Sequence, residues 1–265
     1  MKRLWYLLSI SLIIASCGED IEGCLDPEAT NFDPSADVTC CCEYPQLTFK
    51  MSYNNYAGDS TTFALNSLYN DDDGTPYYIN DLNLYISDFE LVRSDNSVET
   101  VIDTIGVTLK DGMIRTLQDD FSILSNNIFQ YDIGTTNISG DFTKIRFKIG
   151  LNDVASQVNP ESVETTHPLS SDNGLYENDA YVFNKIAIIA DTSMIDIITN
   201  YNVISNAVNI ELNHDFTINS GFDTEISINA DLKKLLNTVD FQNDDYDAII
   251  SKIVTNTSDI FTIVE

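Results

Sequence analysis

The chain is poor in several kinds of residue, and each shortage removes a class of function. Basic residues number 13 against 42 acidic ones, a formal net charge of −29. Nucleic-acid binding needs a cationic surface that displaces counterions from phosphates, so it is excluded. An anionic lipid surface is disfavoured for the same reason. Histidine occurs twice, as His167 and His214, and tryptophan once, as Trp5. Few metallo-hydrolase or acid–base constellations can be built from so little. Cysteine is missing from 43–265, so no disulfide can form within that stretch. No nucleophile elbow, zincin helix, phosphate-cradling loop or dinucleotide fingerprint is present. The expectation is a protein that is not an enzyme.

What is present begins with the leader. Lys2 and Arg3 precede an apolar stretch from Leu4 to Ala15. It is shorter than the roughly 20 residues of a membrane-spanning helix. Ile14-Ala15-Ser16-Cys17 resembles a bacterial lipobox. That predicts a signal peptide over 1–16 and a lipidated Cys17 as the mature first residue, anchoring the chain in the outer membrane. The acidic tether over 17–22 resembles the surface-export signal of Bacteroidota lipoproteins. Display at the cell surface is the expectation, with the periplasmic face as the alternative.

A Cys-rich module is expected over 23–45. Cys24, Cys40, Cys41 and Cys42 fall within 19 residues. In an envelope compartment such clustering reads as a disulfide staple, and four cysteines allow three connectivities. Adjacent thiolates are also a site for a soft ion such as Cu(I). Asp26, Asn31, Asp33 and Asp37 carry the oxygens that calcium requires. The same residues make ordinary turns by bonding to nearby backbone.

From residue 46 to 265 the pattern is that of strands. Leu47, Phe49, Met51 and Tyr53 alternate. Ile79 is followed by Leu82, Leu84 and Ile86, then by Phe89 and Leu91, so the inward face slips near Asp81 and Ser87 and predicts bulges there. Phe142 to Ile149, Tyr181 to Ile189, Val208 to His214 and Thr224 to Asn229 are further strands. Asp231 can cap a helix over Leu232 to Leu236, and a second helix is expected over Asp245 to Val254. Asn70 to Gly74 fails as an EF-hand loop, because Tyr69 would be its first ligand, and reads as a turn. The expected fold is all-β: an antiparallel β-sandwich with one or two short helices behind a disulfide-stapled module.

Two resemblances follow. Gly23-Cys24-Leu25-Asp26-Pro27 through Asn31-Phe32-Asp33-Pro34, closing in Cys42-Glu43-Tyr44, resembles a short module of secreted Bacteroidota proteins. It implies that Cys24 pairs with Cys42 or a close neighbour. Gly74-Thr75-Pro76-Tyr77-Tyr78-Ile79 and Leu84-Tyr85-Ile86-Ser87-Asp88-Phe89, with later blocks at Phe142 to Leu151 and His167-Pro168-Leu169, resemble MbnP-like domains. The resemblance runs over about residues 47–262.

It implies copper binding and copper acquisition, with a partner such as a di-haem peroxidase-like enzyme or a TonB-dependent receptor. The family's copper site combines histidine with an oxidised tryptophan. Here the stretch after His167-Pro168-Leu169 holds no tryptophan, and Trp5 belongs to the leader. Copper would therefore rest on His167, His214 and oxygen donors. The plain readings are a solvated loop residue for His167 and an edge-of-core residue for His214. The alternative function is a non-catalytic interaction domain without tight metal binding.

Overall fold

The computed structural model describes residues 20–54, 63–173, 175–190 and 197–264. Cys17, Trp5 and the expected signal peptide over 1–16 lie outside them. The principal strands are β1 (Gln46–Asn54), β2 (Pro76–Val92), β3 (Ser122–Ser125), β4 (Gln130–Thr135), β5 (Gly140–Ile149), β6 (Asn184–Ile189), β7 (Thr199–Val203), β8 (Val208–Ile218), β9 (Thr224–Asp231) and β10 (Phe261–Ile263). Two helices, α1 (Leu232–Leu235) and α2 (Tyr246–Asn256), lie between β9 and β10.

The strands form two sheets. The smaller has the order β4-β1-β9-β10, and the larger is built on β7-β6-β2-β5-β8, with β3 also paired to β2. Alternating apolar residues from both sheets meet in one core. Phe49 of the small sheet packs edge-on against Phe89 and Phe147 of the large one, with centroids 5.4 and 5.6 Å apart. The chain is thus an all-β sandwich.

One detail departs from expectation. The sandwich is not wholly antiparallel, because β1 and β9 run parallel, from Leu47 opposite Thr224 to Asn54 opposite Asp231. Parallel neighbours need a long crossover, and here nearly the whole large sheet supplies it.

Both slips of β2 are bulges. Its register against β6 shifts between Ile79 and Asp81, and against β5 between Ser87 and Glu90. Asp88 sits at φ +52° in the second. The turn before β2 is closed by the buried Asp71, whose Oδ1 accepts from the backbone N–H of Asp73 and Thr75. Asp231 caps α1 by accepting from the N–H of Lys233 and Lys234, and Asp245 caps α2 by accepting from that of Ala248. Each cap satisfies a donor that the first helical turn leaves unpaired.

A second, smaller core was not expected. Tyr85 points to the opposite side of β2 from Leu84 and Ile86. It packs with Phe121, Leu169, Leu175, Tyr181 and Phe183 beneath the loops of 151–183. Gly150 at φ +111° lets the chain turn there, where a Cβ would lie 2.7 Å from the Phe183 ring.

The module before β1 is built differently. Glu22–Gly23 pairs with Val38–Thr39 in a two-residue parallel ladder. A Cys24–Cys42 disulfide closes the loop. Cys40 and Cys41 carry free thiols, so the second bridge of the staple is not formed. The module rests on the sandwich: Ser139 Oγ donates to Glu28 Oε1 at 2.8 Å, and Ser220 Oγ donates to the Pro27 carbonyl. Among the described residues no helix is long and apolar enough to cross a membrane.

Candidate functional site

His167 sits in the loop between two short 3-10 turns, Pro160–Ser162 and Ser171–Asn173. The His167-Pro168-Leu169 segment is pinned to the second core. Tyr85 Oη donates to the Pro168 carbonyl and Tyr181 Oη to that of Leu169, each at 2.7 Å. Leu169 itself is buried. The His167 backbone donates to Glu164 O, and its carbonyl accepts from Asn173 Nδ2 at 2.8 Å.

The imidazole is held as firmly as the backbone. Its Nδ1 accepts from the Leu169 N–H at 3.0 Å. That acceptor role puts the proton of a neutral ring on Nε2, which meets Asp119 Oδ1 at 2.9 Å. The ring also packs edge-on against Phe121, centroids 6.0 Å apart. Its side chain is 11% exposed. The reading of His167 as a solvated loop residue is therefore corrected: backbone and aromatic partners bury it.

Asp119 and Asp120 link this histidine to the β2 bulge. Asp120 is 1% exposed, and its Oδ2 accepts from the Phe89 N–H at 2.6 Å. A bulge leaves a ladder donor unpaired, and the buried carboxylate satisfies it. Burial pushes the Asp120 carboxyl up to about 6, against the lowering effect of the Phe89 N–H. The other side of the bulge is held by Asp88, which bonds Lys148 Nζ at 2.5 Å and Asn152 Nδ2 at 2.6 Å.

His167 opens on a cleft of about 750 Å³ whose wall carries Asp103, Asp119, Asp132 and Glu164. Such a wall attracts cations. A larger cleft, about 1070 Å³, lies beside Lys110, Lys148 and Tyr181. Its cations are already engaged: Lys110 Nζ donates to the Asp179 carbonyl and lies 5.1 Å from the Tyr176 ring centroid.

The remaining expected ligands do not join His167. His214 lies on β8, half-buried, its ring stacked on Phe216 at 6.1 Å. It is an edge-of-core residue and shares no partner with His167. Asp26, Asn31, Asp33 and Asp37 are used in the module's turns. Asp26 accepts from the Glu28 N–H and Tyr44 Oη, and Asp33 from the Ser35 N–H and hydroxyl. Asp37 accepts from the Ile21 N–H, while Asn31 binds the backbone of Cys41 and Glu43. Among the described residues no three His, Cys, Asp or Glu side chains converge as metal ligands. Asp119, 48 positions before its histidine, carried no signal of its role in the sequence.

No curated protein matches the chain. Among solved structures, MbnP from Methylosinus trichosporium is similar at 12% identity and a TM-score of 0.41, over 77% of this chain and 79% of that one. The family model described as MbnP matches residues 45–254. The match begins where the Cys-rich module ends and takes in the pinned His167 loop. It covers well over half of the chain, which therefore belongs to the MbnP family.

Proposed function

We propose that this protein is a lipid-anchored envelope protein whose MbnP domain serves as a non-catalytic binding and interaction domain, without a tight copper centre. The observation that carries the reading is the state of His167. Both ring nitrogens are committed, Nδ1 to a backbone N–H and Nε2 to Asp119. A tight copper site commonly holds two or more imidazoles in fixed geometry. Here the second histidine stacks on Phe216 in β8. Binding through Nε2 would have to displace Asp119 or recruit it. The residues present do not fit a copper site of the histidine-plus-modified-tryptophan type.

The anchor rests on the lipobox-like Ile14-Ala15-Ser16-Cys17. Mass spectrometry of the native N-terminus is expected to find an acylated Cys17. A mature chain beginning elsewhere with an unmodified residue defeats that half of the proposal.

A second reading is copper handling through His167, with a TonB-dependent or di-haem partner. The acidic cleft wall favours it. Equilibrium copper titration against a competing chelator, on wild type, His167→Ala and His214→Ala, decides between the two. Weak uptake that neither substitution changes supports the interaction domain. One equivalent held below about micromolar Kd, and lost in His167→Ala, replaces it with the copper reading.

A further inference from the structure

The least explained chemistry lies outside the family match, in the run of three cysteines. Cys42 is bonded to Cys24, which leaves Cys40 and Cys41 as neighbouring thiols. Their backbone is fixed on both sides. The Cys40 N–H donates to Gly23 O at 2.9 Å. Asn31 Nδ2 donates to the Cys41 carbonyl at 2.6 Å, and Asn31 Oδ1 accepts from the Glu43 N–H at 3.0 Å. Cys41 is at φ +57°, a conformation that non-glycine residues adopt where their surroundings hold them. Side chains of consecutive extended residues point to opposite faces. Here they converge, and the two sulfurs lie 2.9 Å apart.

Two chemistries use a converging dithiol, and the distance separates them. A shared metal ion needs each sulfur about 2.3 Å away, which places tetrahedral ligands roughly 3.7 Å apart. The observed pair is closer than that. A sulfur–sulfur bond of about 2.05 Å needs the pair to approach by less than about 1 Å more. The resulting bridge would be unlike Cys24–Cys42. Consecutive Cα atoms are about 3.8 Å apart, below the roughly 4.4–6.8 Å of ordinary disulfides, and such departures make a bridge easier to reduce.

We propose that Cys40 and Cys41 form an exchangeable dithiol–disulfide couple, separate from the structural Cys24–Cys42 bridge, whose co-substrate is a molecule with an accessible disulfide. Cys41 is exposed and attacks first. Cys40 is more enclosed, and its hydrogen bond to Cys41, its burial and the charges of Cys41 and Glu22 push its thiol up to about 11. Its enclosure leaves it to the second step, as the resolving thiol.

The Cys41 thiolate attacks one sulfur of the co-substrate, whose S–S bond breaks and releases a first thiol. Cys40 then loses its proton and attacks Cys41 Sγ, expelling the second thiol. One S–S bond is lost and one gained. Two electrons pass from the protein to the co-substrate, which takes up two protons. Cys24 is almost fully buried, which shields its sulfur from the same attack, while Cys42 is half-exposed.

Oxidised glutathione is the probe, applied to the mildly reduced full chain and read by peptide mapping so that Cys17 stays out of the count. The Cys40–Cys41 peptide is expected to lose two hydrogens while two glutathione thiols are released per chain and Cys24–Cys42 survives. Cys40→Ser should trap one glutathione on Cys41, and Cys41→Ser should slow the reaction of Cys40 at least tenfold. The wild-type bridge should open at a tenfold lower dithiothreitol concentration than Cys24–Cys42. A stable adduct on wild-type Cys41, a dimer through Cys41, a bridge from either residue to Cys24 or Cys42, or equal resistance of the two bridges overturns the proposal.

Discussion

The Cys-rich module and the sandwich behind it hold their shape by different means. The sandwich buries side chains: Leu47, Phe49, Phe89, Ile145 and Phe147 are almost wholly enclosed by residues of both sheets. The module has almost nothing to enclose. Cys24, Ala29 and, at its end, Pro45 are its buried apolar residues among those described, while Leu25, Phe32 and Val38 remain exposed. It depends instead on one disulfide and on carboxylates and amides bonded to nearby backbone. A segment this short cannot gather enough apolar area to offset its loss of conformational entropy. A covalent closure reduces that loss in the unfolded chain.

The comparison can be broken at its strongest point first. Phe49→Ala removes a ring that touches Phe89 and Phe147 across the two sheets. It is expected to destabilise the sandwich by about 3–5 kcal/mol, read as a shifted urea midpoint. A loss below about 1 kcal/mol would mean that the inter-sheet contact is not what holds the layers. Cys24→Ser comes next. It should destabilise the module by roughly 3 kcal/mol, the value for closing a loop of this length. Hydrogen exchange should rise over 22–44 while the urea midpoint of the sandwich stays put. Loss of the sandwich as well would show that the contacts at Glu28 and Pro27 join the two into one cooperative unit.

The smallest effect sharpens the comparison by testing a polar device inside the sandwich. Asp120 has its folded value raised to about 6 from the ordinary 3.8. Its favourable contribution is therefore complete below about pH 4 and is lost as pH rises through 6. Asp120→Asn keeps an oxygen for the Phe89 N–H and removes the charge. The variant should gain on wild type, by on the order of 1–2 kcal/mol, as pH goes from 4 to 7. Parallel stability–pH curves for the two proteins would refute a buried ionising carboxylate.

The sequence announced what is local. Alternation marked Leu47 to Tyr53 and Phe142 to Ile149 as strands. The two phase slips in Ile79 to Leu91 located both bulges, and Asp231 and Asp245 stood where helix caps belong. What stayed hidden is held by distant partners. Tyr85 looked like another strand residue, and only Tyr181 and the Leu169 loop, which return to it some 80 residues later, make it part of a second core. Asp119 was one acid among 42 until the fold placed it against His167. His214 was legible as an edge-of-core residue because strand periodicity alone decides it. The Cys24–Cys42 pairing came from resemblance to a known module, since spacing left three connectivities open.

The parallel pairing of β1 with β9 sets the order in which this chain can mature. Thr48 and Glu225 are neighbours in the sheet although 177 positions separate them. A strand that appears early in synthesis must therefore wait for one near the other end. During that wait β4 can pair with one edge of β1, but the edge that will meet β9 stays open, and an open apolar edge is the kind of segment that associates with other chains. Closing such long loops makes folding slow. A holdase acting on the nascent chain would find that open edge of β1, and truncation before Thr224 would leave it without its partner for good.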